Sequence, residues 1–207
     1  MTSSDEEQLP GLSRPSALKS LIPLILAGMF MVTGILVLVY LGRDTARLMN
    51  APLDDIDLVP LVDADHVPPI SEMKGQIIVM HFWGTWCPPC REEFPEYVQL
   101  LKAYKGHPQV RFLTVSCSPG PEDNLDNLKE ETIKFMHSRF RIPNYADPAM
   151  YTRGRIAKML SSGGFQYPMT LIVDKKGIVR EFWLGQSADT MKQVHEAVKI
   201  QLAEDIQ

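Results

Sequence analysis

Two cysteines, Cys87 and Cys90, stand two residues apart in the run Phe82-Trp83-Gly84-Thr85-Trp86-Cys87-Pro88-Pro89-Cys90. Thiols at that spacing can close on each other and expel whatever substrate the first one attacked, so the spacing encodes dithiol–disulfide exchange. The flanking residues say how the sulfurs are held. Ile77 to Phe82 is a short apolar run after Gly75 and reads as a buried strand. From Pro89 onward Phe94, Val98, Leu101 and Tyr104 recur at helical spacing, which puts Cys90 in a first helical turn. Unsatisfied amide N–H groups and the positive end of the helix dipole gather there, and both favour thiolate over thiol.

Other reactive side chains are fewer. His81 lies in the strand and titrates near neutrality. Beneath Cys90, a neutral imidazole could accept the thiol's proton; the plainer alternative is a buried histidine satisfied by a backbone carbonyl. Cys117 ends a second predicted strand, 110–115, where it is either a small packed hydrophobe or a third thiol near Cys87. Trp83 reads as a packing aromatic, and Trp86 as packing or as part of a substrate surface. A C-x-x-C pair can also be half a zinc site, but no second pair and no His-x-x-x-His accompanies it. His66, His107, His137 and His195 lack ligand spacing and read as surface residues, so neither metal nor cofactor is expected.

The chain of 207 residues allows one domain with appendages. A net charge of −4 gives no electrostatic footprint for nucleic acid, and three cysteines do not make a disulfide-stapled scaffold. Residues 1–20 are polar and read as a disordered tail. Residues 21–42 carry no charge and are bracketed by Lys19 and Arg43; as a helix they reach about 31 Å, enough for a bilayer core. The run is longer than a signal-peptide core and no small-x-small site follows, so the expectation is an uncleaved anchor. Flanking positive charges are tied, Arg14 and Lys19 against Arg43 and Arg47. A short tail before a single span leans toward a catalytic domain outside the cytoplasm.

Residues 43–52 are expected to be a tether and 53–207 the domain. Within it, 53–67 predicts a leading strand or hairpin, 90–105 a helix and 110–115 a strand. Helices are expected from Leu125 to Met136 and from Ala149 to Leu160. Residues 170–174 and 178–183 predict a hairpin turning at Gly177. Ser187 or Asp189 is expected to cap a closing helix containing Met191, Val194, Val198 and Leu202. The sum is βαβ, one or two helices, then ββα.

These motifs resemble the thioredoxin fold, and within it the membrane-anchored TlpA/ResA-like and CcmG-like thiol–disulfide oxidoreductases. The resemblance spans roughly 53–207 and rests on residues 82–90, Cys90-Arg91-Glu92-Glu93-Phe94-Pro95, Tyr167-Pro168-Met169-Thr170 and Asp174-Lys175-Lys176-Gly177. It implies an α/β fold with a central mixed sheet flanked by helices, Cys87 as the exposed attacking thiol and Cys90 as the buried resolving one. Pro95 would bend the active-site helix, Pro168 would be cis and face the cysteines, and Tyr167 would shape a substrate groove. Glu93 would line the active-site cavity and tune the thiols, where a solvated glutamate like Glu92 is the alternative. His81 departs from the family, which carries aspartate or asparagine there. The implied clients are disulfides of exported proteins, apocytochrome c among them, with re-reduction by a membrane donor of the DsbD/CcdA kind and no cofactor beyond the disulfide itself. Two other functions compete. Sco-like copper chaperones space their cysteines three apart and add a downstream histidine, and thiol peroxidases place threonine where Gly84 stands.

Overall fold

The computed structural model describes residues 23, 25–37, 48–120, 124–137, 139–160 and 164–204. The chain divides into two units, 1–42 and 43–207. In the first, 25–37 are helical with their large apolar side chains exposed, and Thr33 Oγ1 donates to the carbonyls of Met29 and Phe30. The rest of the expected span 21–42 lies outside the described residues, except Pro23, as does the tail 1–20. Among the described residues no helix is long and apolar enough to cross a membrane.

The second unit is a six-stranded sheet with helices on both faces. Its elements are β1 (Val59–Val62), a 3₁₀ turn (Ile70–Met73), β2 (Ile77–Trp83), α1 (Pro88–Ala103), β3 (Val110–Ser116) and α2 (Leu125–Met136). There follow β4 (Asn144–Ala146), α3 (Tyr151–Met159), β5 (Met169–Val173), β6 (Val179–Leu184) and α4 (Thr190–Ala203). The strand order is β1-β4-β3-β2-β5-β6. β2, β3 and β4 run parallel, while β1, β5 and β6 pair antiparallel with their neighbours, so the sheet is mixed.

β2 is central and buried on both faces, which is why it reads as an unbroken apolar run. Its side chains alternate. Ile77, Val79 and Trp83 pack under α1, α4 and the end of α2; Ile78, Met80 and Phe82 pack on the other face with Ile156 of α3 and with Leu53, Ile70 and Met73. Burying a side chain the size of Phe94 or Leu113 contributes about 2–3 kcal/mol, and such residues tie both layers to this strand.

One expectation is narrowed and one needs correction. Of the strand or hairpin expected over 53–67, a strand forms. Only Val59–Val62 is a strand, because its partner is β4, far along the chain, and Pro60 is tolerated on this sheet edge. Part of the expected tether belongs to the domain: Leu48 is buried in the core, Asn50 N donates to Val179 O and Pro52 bridges Ile178. Asp189 is the N-cap of α4, as expected, although its side chain makes no capping bond; Thr190 Oγ1 accepts the N–H of Ser187. The β5–β6 hairpin turns as expected at Gly177, whose φ of 86° suits glycine.

Candidate active site

β2 delivers the chain to the cysteines at its carboxyl end. Cys87 is the N-cap of α1, and its sulfur accepts the N–H of Cys90 at 3.3 Å. Pro88 and Pro89 fill the first two helical positions, where no N–H partner is needed. Cys87 and Cys90 are joined as a disulfide, with their Cα atoms 5.3 Å apart. On reduction, the helix end that holds Cys87 Sγ would stabilise it as an anion.

The resemblance implies an exposed Cys87, and the structure differs. Cys87 is 4% exposed and Cys90 0%. The N-cap geometry turns the Cys87 sulfur inward, onto the Cys90 amide and into the apolar cluster of Trp83 and Phe94. The order of exposure is retained; the openness is not.

Trp86 lies over this turn with 39% of its surface exposed, and its indole Nε1 donates to Cys117 O at 2.8 Å. Gly84 makes that possible. A Cβ there would stand 2.3 Å from Trp86 Nε1 and 2.8 Å from Cys117 O, on both partners of the bond. Trp83, by contrast, is buried, with Nε1 donating to Asn144 Oδ1.

The register of β5 against β2 sets Met169 beside Phe82, so Tyr167 and Pro168 fall alongside the cysteine turn. The Tyr167–Pro168 bond is cis. The Tyr167 ring meets Trp86 edge-on at 5.2 Å, and together they wall the approach to the disulfide. Burial, then the neighbouring Cys117 thiol, pushes the Tyr167 phenol well above its ordinary range. Cys117 is buried in the core on the face opposite α1 and lies outside the disulfide.

Beneath α1 lie polar groups that the fold leaves unpaired. Glu93 is 3% exposed, not solvated like Glu92, and neither carboxyl oxygen has a hydrogen-bond partner among the described residues. Burial, with a smaller push from Glu96, raises its pKa to about 7. Cys90, Glu93, Phe94, Tyr97 and Val98 share the buried stripe of α1, which sets Glu93 one turn along from Cys90.

His81 is fully buried and stacks on Tyr97 with ring centroids 4.1 Å apart. Its Nδ1 lies 2.9 Å from Thr170 Oγ1, so a side-chain hydroxyl satisfies it rather than the backbone carbonyl of the plainer alternative, and Nε2 has no partner among the described residues. Burial lowers its pKa to about 3, so the ring is neutral at physiological pH.

Sequence reasoning missed the cluster on the other side of Tyr167. Arg153 and Asp147 form a buried ion pair. Asp147 accepts from Thr152 N, Arg153 N and Arg153 Nε, while the guanidinium also donates to Asp147 O and, at 2.9 Å, to Tyr167 Oη. Arg153 thus holds the residue before the cis proline. The available signal was an aspartate just ahead of a short helix, a position that caps N–H groups. Among the described residues no group of three or more His, Cys, Asp or Glu could hold a metal.

Comparison with known proteins bears on this geometry. The sequence profile of the AhpC/TSA family matches residues 61–182. The thiol:disulfide interchange protein DsbE of Pseudomonas aeruginosa is 27% identical over 172 residues, which cover 81% of this chain and 86% of that protein. Thiol-disulfide oxidoreductase ResA of Geobacillus thermodenitrificans is 27% identical over 164 residues, covering 77% of this chain and 83% of the relative. The crystal structure of a thiol:disulfide interchange protein of the thioredoxin family from Chlorobium tepidum superposes with a TM-score of 0.55 at 20% identity, over 75% of this chain and 97% of that one. That likeness shows the thioredoxin-like fold.

Proposed function

This chain belongs to the AhpC/TSA family, and from that premise we propose that it is a thiol–disulfide oxidoreductase of the DsbE/ResA type. One observation carries the reading: a Cys87–Cys90 disulfide at the amino end of α1, beside the cis Pro168 and the Trp86–Tyr167 wall. The Cys87 thiolate attacks a substrate disulfide, forming one S–S bond and releasing one substrate thiolate. Cys90 then gives up its proton and attacks the Cys87 sulfur, which closes Cys87–Cys90 and releases the second thiolate. The substrate gains two electrons and the dithiol loses them.

Glu93 is placed to take the Cys90 proton, since a carboxyl with a pKa of about 7 exchanges protons at working pH. His81, neutral and bound to Thr170, is at most an acceptor beneath it. Trp86, Tyr167 and Pro168 form the substrate surface. A peroxidase site needs a hydroxyl where Gly84 stands, and Trp86 fills the space a side chain would occupy.

The uncharged run 21–42 and the exposed apolar helix 25–37 support a single-pass anchor. The domain then works on the extracytoplasmic side of the cell membrane, on disulfides of exported proteins such as apocytochrome c. It is re-reduced by a membrane thiol–disulfide donor of the DsbD/CcdA type.

Trapping tests the reading. Cys90→Ser accumulates covalent adducts with disulfide clients on non-reducing gels, and Cys87→Ser abolishes insulin reduction; absence of both effects overturns it. A measured potential near −270 mV supports a reductant, and one near −120 mV an oxidant.

A further inference from the structure

At the end of the sheet away from the disulfide, where β2 and β3 begin and α1 ends, lies a cleft of about 560 Å³. Four cations line it: Lys102 and Lys105 at the end of α1, Arg111 of β3, and Arg141 ahead of β4. Among the described residues no aspartate or glutamate lines it; Asp65, which follows β1 at the same end, reaches it only as a charge acting on the Tyr145 phenol in its wall. Elsewhere in the domain some cations are paired, Arg153 with Asp147, Arg155 with Asp54 and Asp55, Arg180 with Asp174 and Lys199 with Glu196, while others such as Arg91, Lys134 and Lys192 have no ion pair among the described residues. Among the described residues the four cleft cations have no ion pair; Arg111 Nε donates only to the Gln76 amide oxygen, at 2.9 Å. Four positive charges around one concavity, with Asp65 acting on Tyr145 from beyond its wall, form a site for anions. The half-buried ring of Tyr104 also walls the cleft, and an amphipathic ring beside cations suits the headgroup level of a bilayer.

A second observation gives the site a direction. The residues that lead into the domain run along this same end: Asn50 N donates to Val179 O, and Leu53 N to Gly177 O in the β5–β6 turn. Ile78 at the start of β2 pairs with Val173 at the end of β5, which sets that turn, with Lys175 and Lys176, opposite the cysteines. The polypeptide therefore joins the domain at its cationic end, and the disulfide occupies the other.

We propose that this cleft binds the phosphate headgroups of an anionic phospholipid surface, holding the domain with the Cys87–Cys90 pair directed away from the bilayer; the source of phosphate rests on the anchored reading above. A Lys or Arg at such a surface strengthens binding roughly fivefold.

The test is amide hydrogen exchange on the full chain with three partners: vesicles of phosphatidylcholine, vesicles of phosphatidylcholine mixed with phosphatidylglycerol, and phosphatidylcholine vesicles plus inorganic phosphate. Exchange at 102–111 and 139–143 should slow several-fold with phosphatidylglycerol alone, and raised salt should cancel the slowing. Lys102→Glu with Lys105→Glu should abolish it, as should Arg141→Gln, while disulfide turnover stays unchanged. Equal exchange in all three mixtures overturns the proposal. So does slowing by inorganic phosphate without phosphatidylglycerol, which would assign the cleft to a soluble anion. Flotation with pure phosphatidylcholine vesicles reads the anchor separately; a chain that fails to float refutes the anchored reading while the phosphatidylglycerol comparison still decides the cleft.

Discussion

Two sets of buried polar side chains flank the disulfide, and they are wired in opposite ways. Asp147 and Arg153 have a dense set of partners: three N–H donors converge on the aspartate, and the guanidinium spans Asp147 and Tyr167. Among the described residues Glu93 has no partner on either oxygen, and His81 has one on a single nitrogen. A buried charge that keeps its ionised form needs its hydrogen bonds made. A group left short shifts its titration toward the neutral form instead, Glu93 up to about 7 and His81 down to about 3. The saturated pair fixes shape around Tyr167. The undersupplied carboxyl beside Cys90 is left able to move a proton.

Breaking the saturated side should have the largest effect. Arg153→Met leaves Asp147 buried and uncompensated, and should lower unfolding free energy by about 3–5 kcal/mol in denaturant titrations. A loss under 1 kcal/mol would mean that the pair is not the dry, fully bonded unit described.

Glu93 and His81 should tilt stability with pH in opposite directions. For Glu93 the folded pKa lies above the unfolded one, so its contribution is intact below pH 4.5 and declines as pH rises toward about 7. For His81 the folded pKa lies below, so its contribution is present above pH 6.5 and is lost as pH falls toward about 3. Between roughly pH 4.5 and 6.5 the two slopes oppose each other. Glu93→Gln should therefore raise stability at pH 8, relative to pH 4, by on the order of 2 kcal/mol. It should also shift the pH profile of thiol alkylation in the reduced protein; unchanged curves would return Glu93 to an inert role.

The smallest effect belongs to the link between the two sides. Tyr167→Phe removes the bond from Arg153 and the phenol's interaction with Cys117, about 1 kcal/mol, and should raise KM for a protein disulfide more than it lowers kcat. A change in kcat alone would detach Tyr167 from substrate binding.

What the sequence revealed follows from how local each signal is. β2 was legible as an unbroken seven-residue apolar run and α1 as sixteen residues carrying the helical period. β4 was not: Asn144–Ala146 is a strand only because β3 and β1 pair with it. The sequence left Glu93 between a cavity-lining carboxyl and a solvated one like Glu92, and its place on the buried stripe of α1 decides between them. Arg153 looked like any helical arginine. Its burial depends on Asp147 and on Tyr167, six and fourteen residues away, and no periodicity encodes that meeting. Leu48 falls in a stretch too short and polar to announce that it packs in the core.

A redox titration read by peptide mass spectrometry tests the account most directly. Purified protein equilibrated across a series of thiol–disulfide buffers should show one two-electron transition, Cys87–Cys90 passing from linked to reduced, while Cys117 stays a thiol throughout. A titration in which Cys87 and Cys90 never change together, or in which Cys117 takes the place of either, would contradict it.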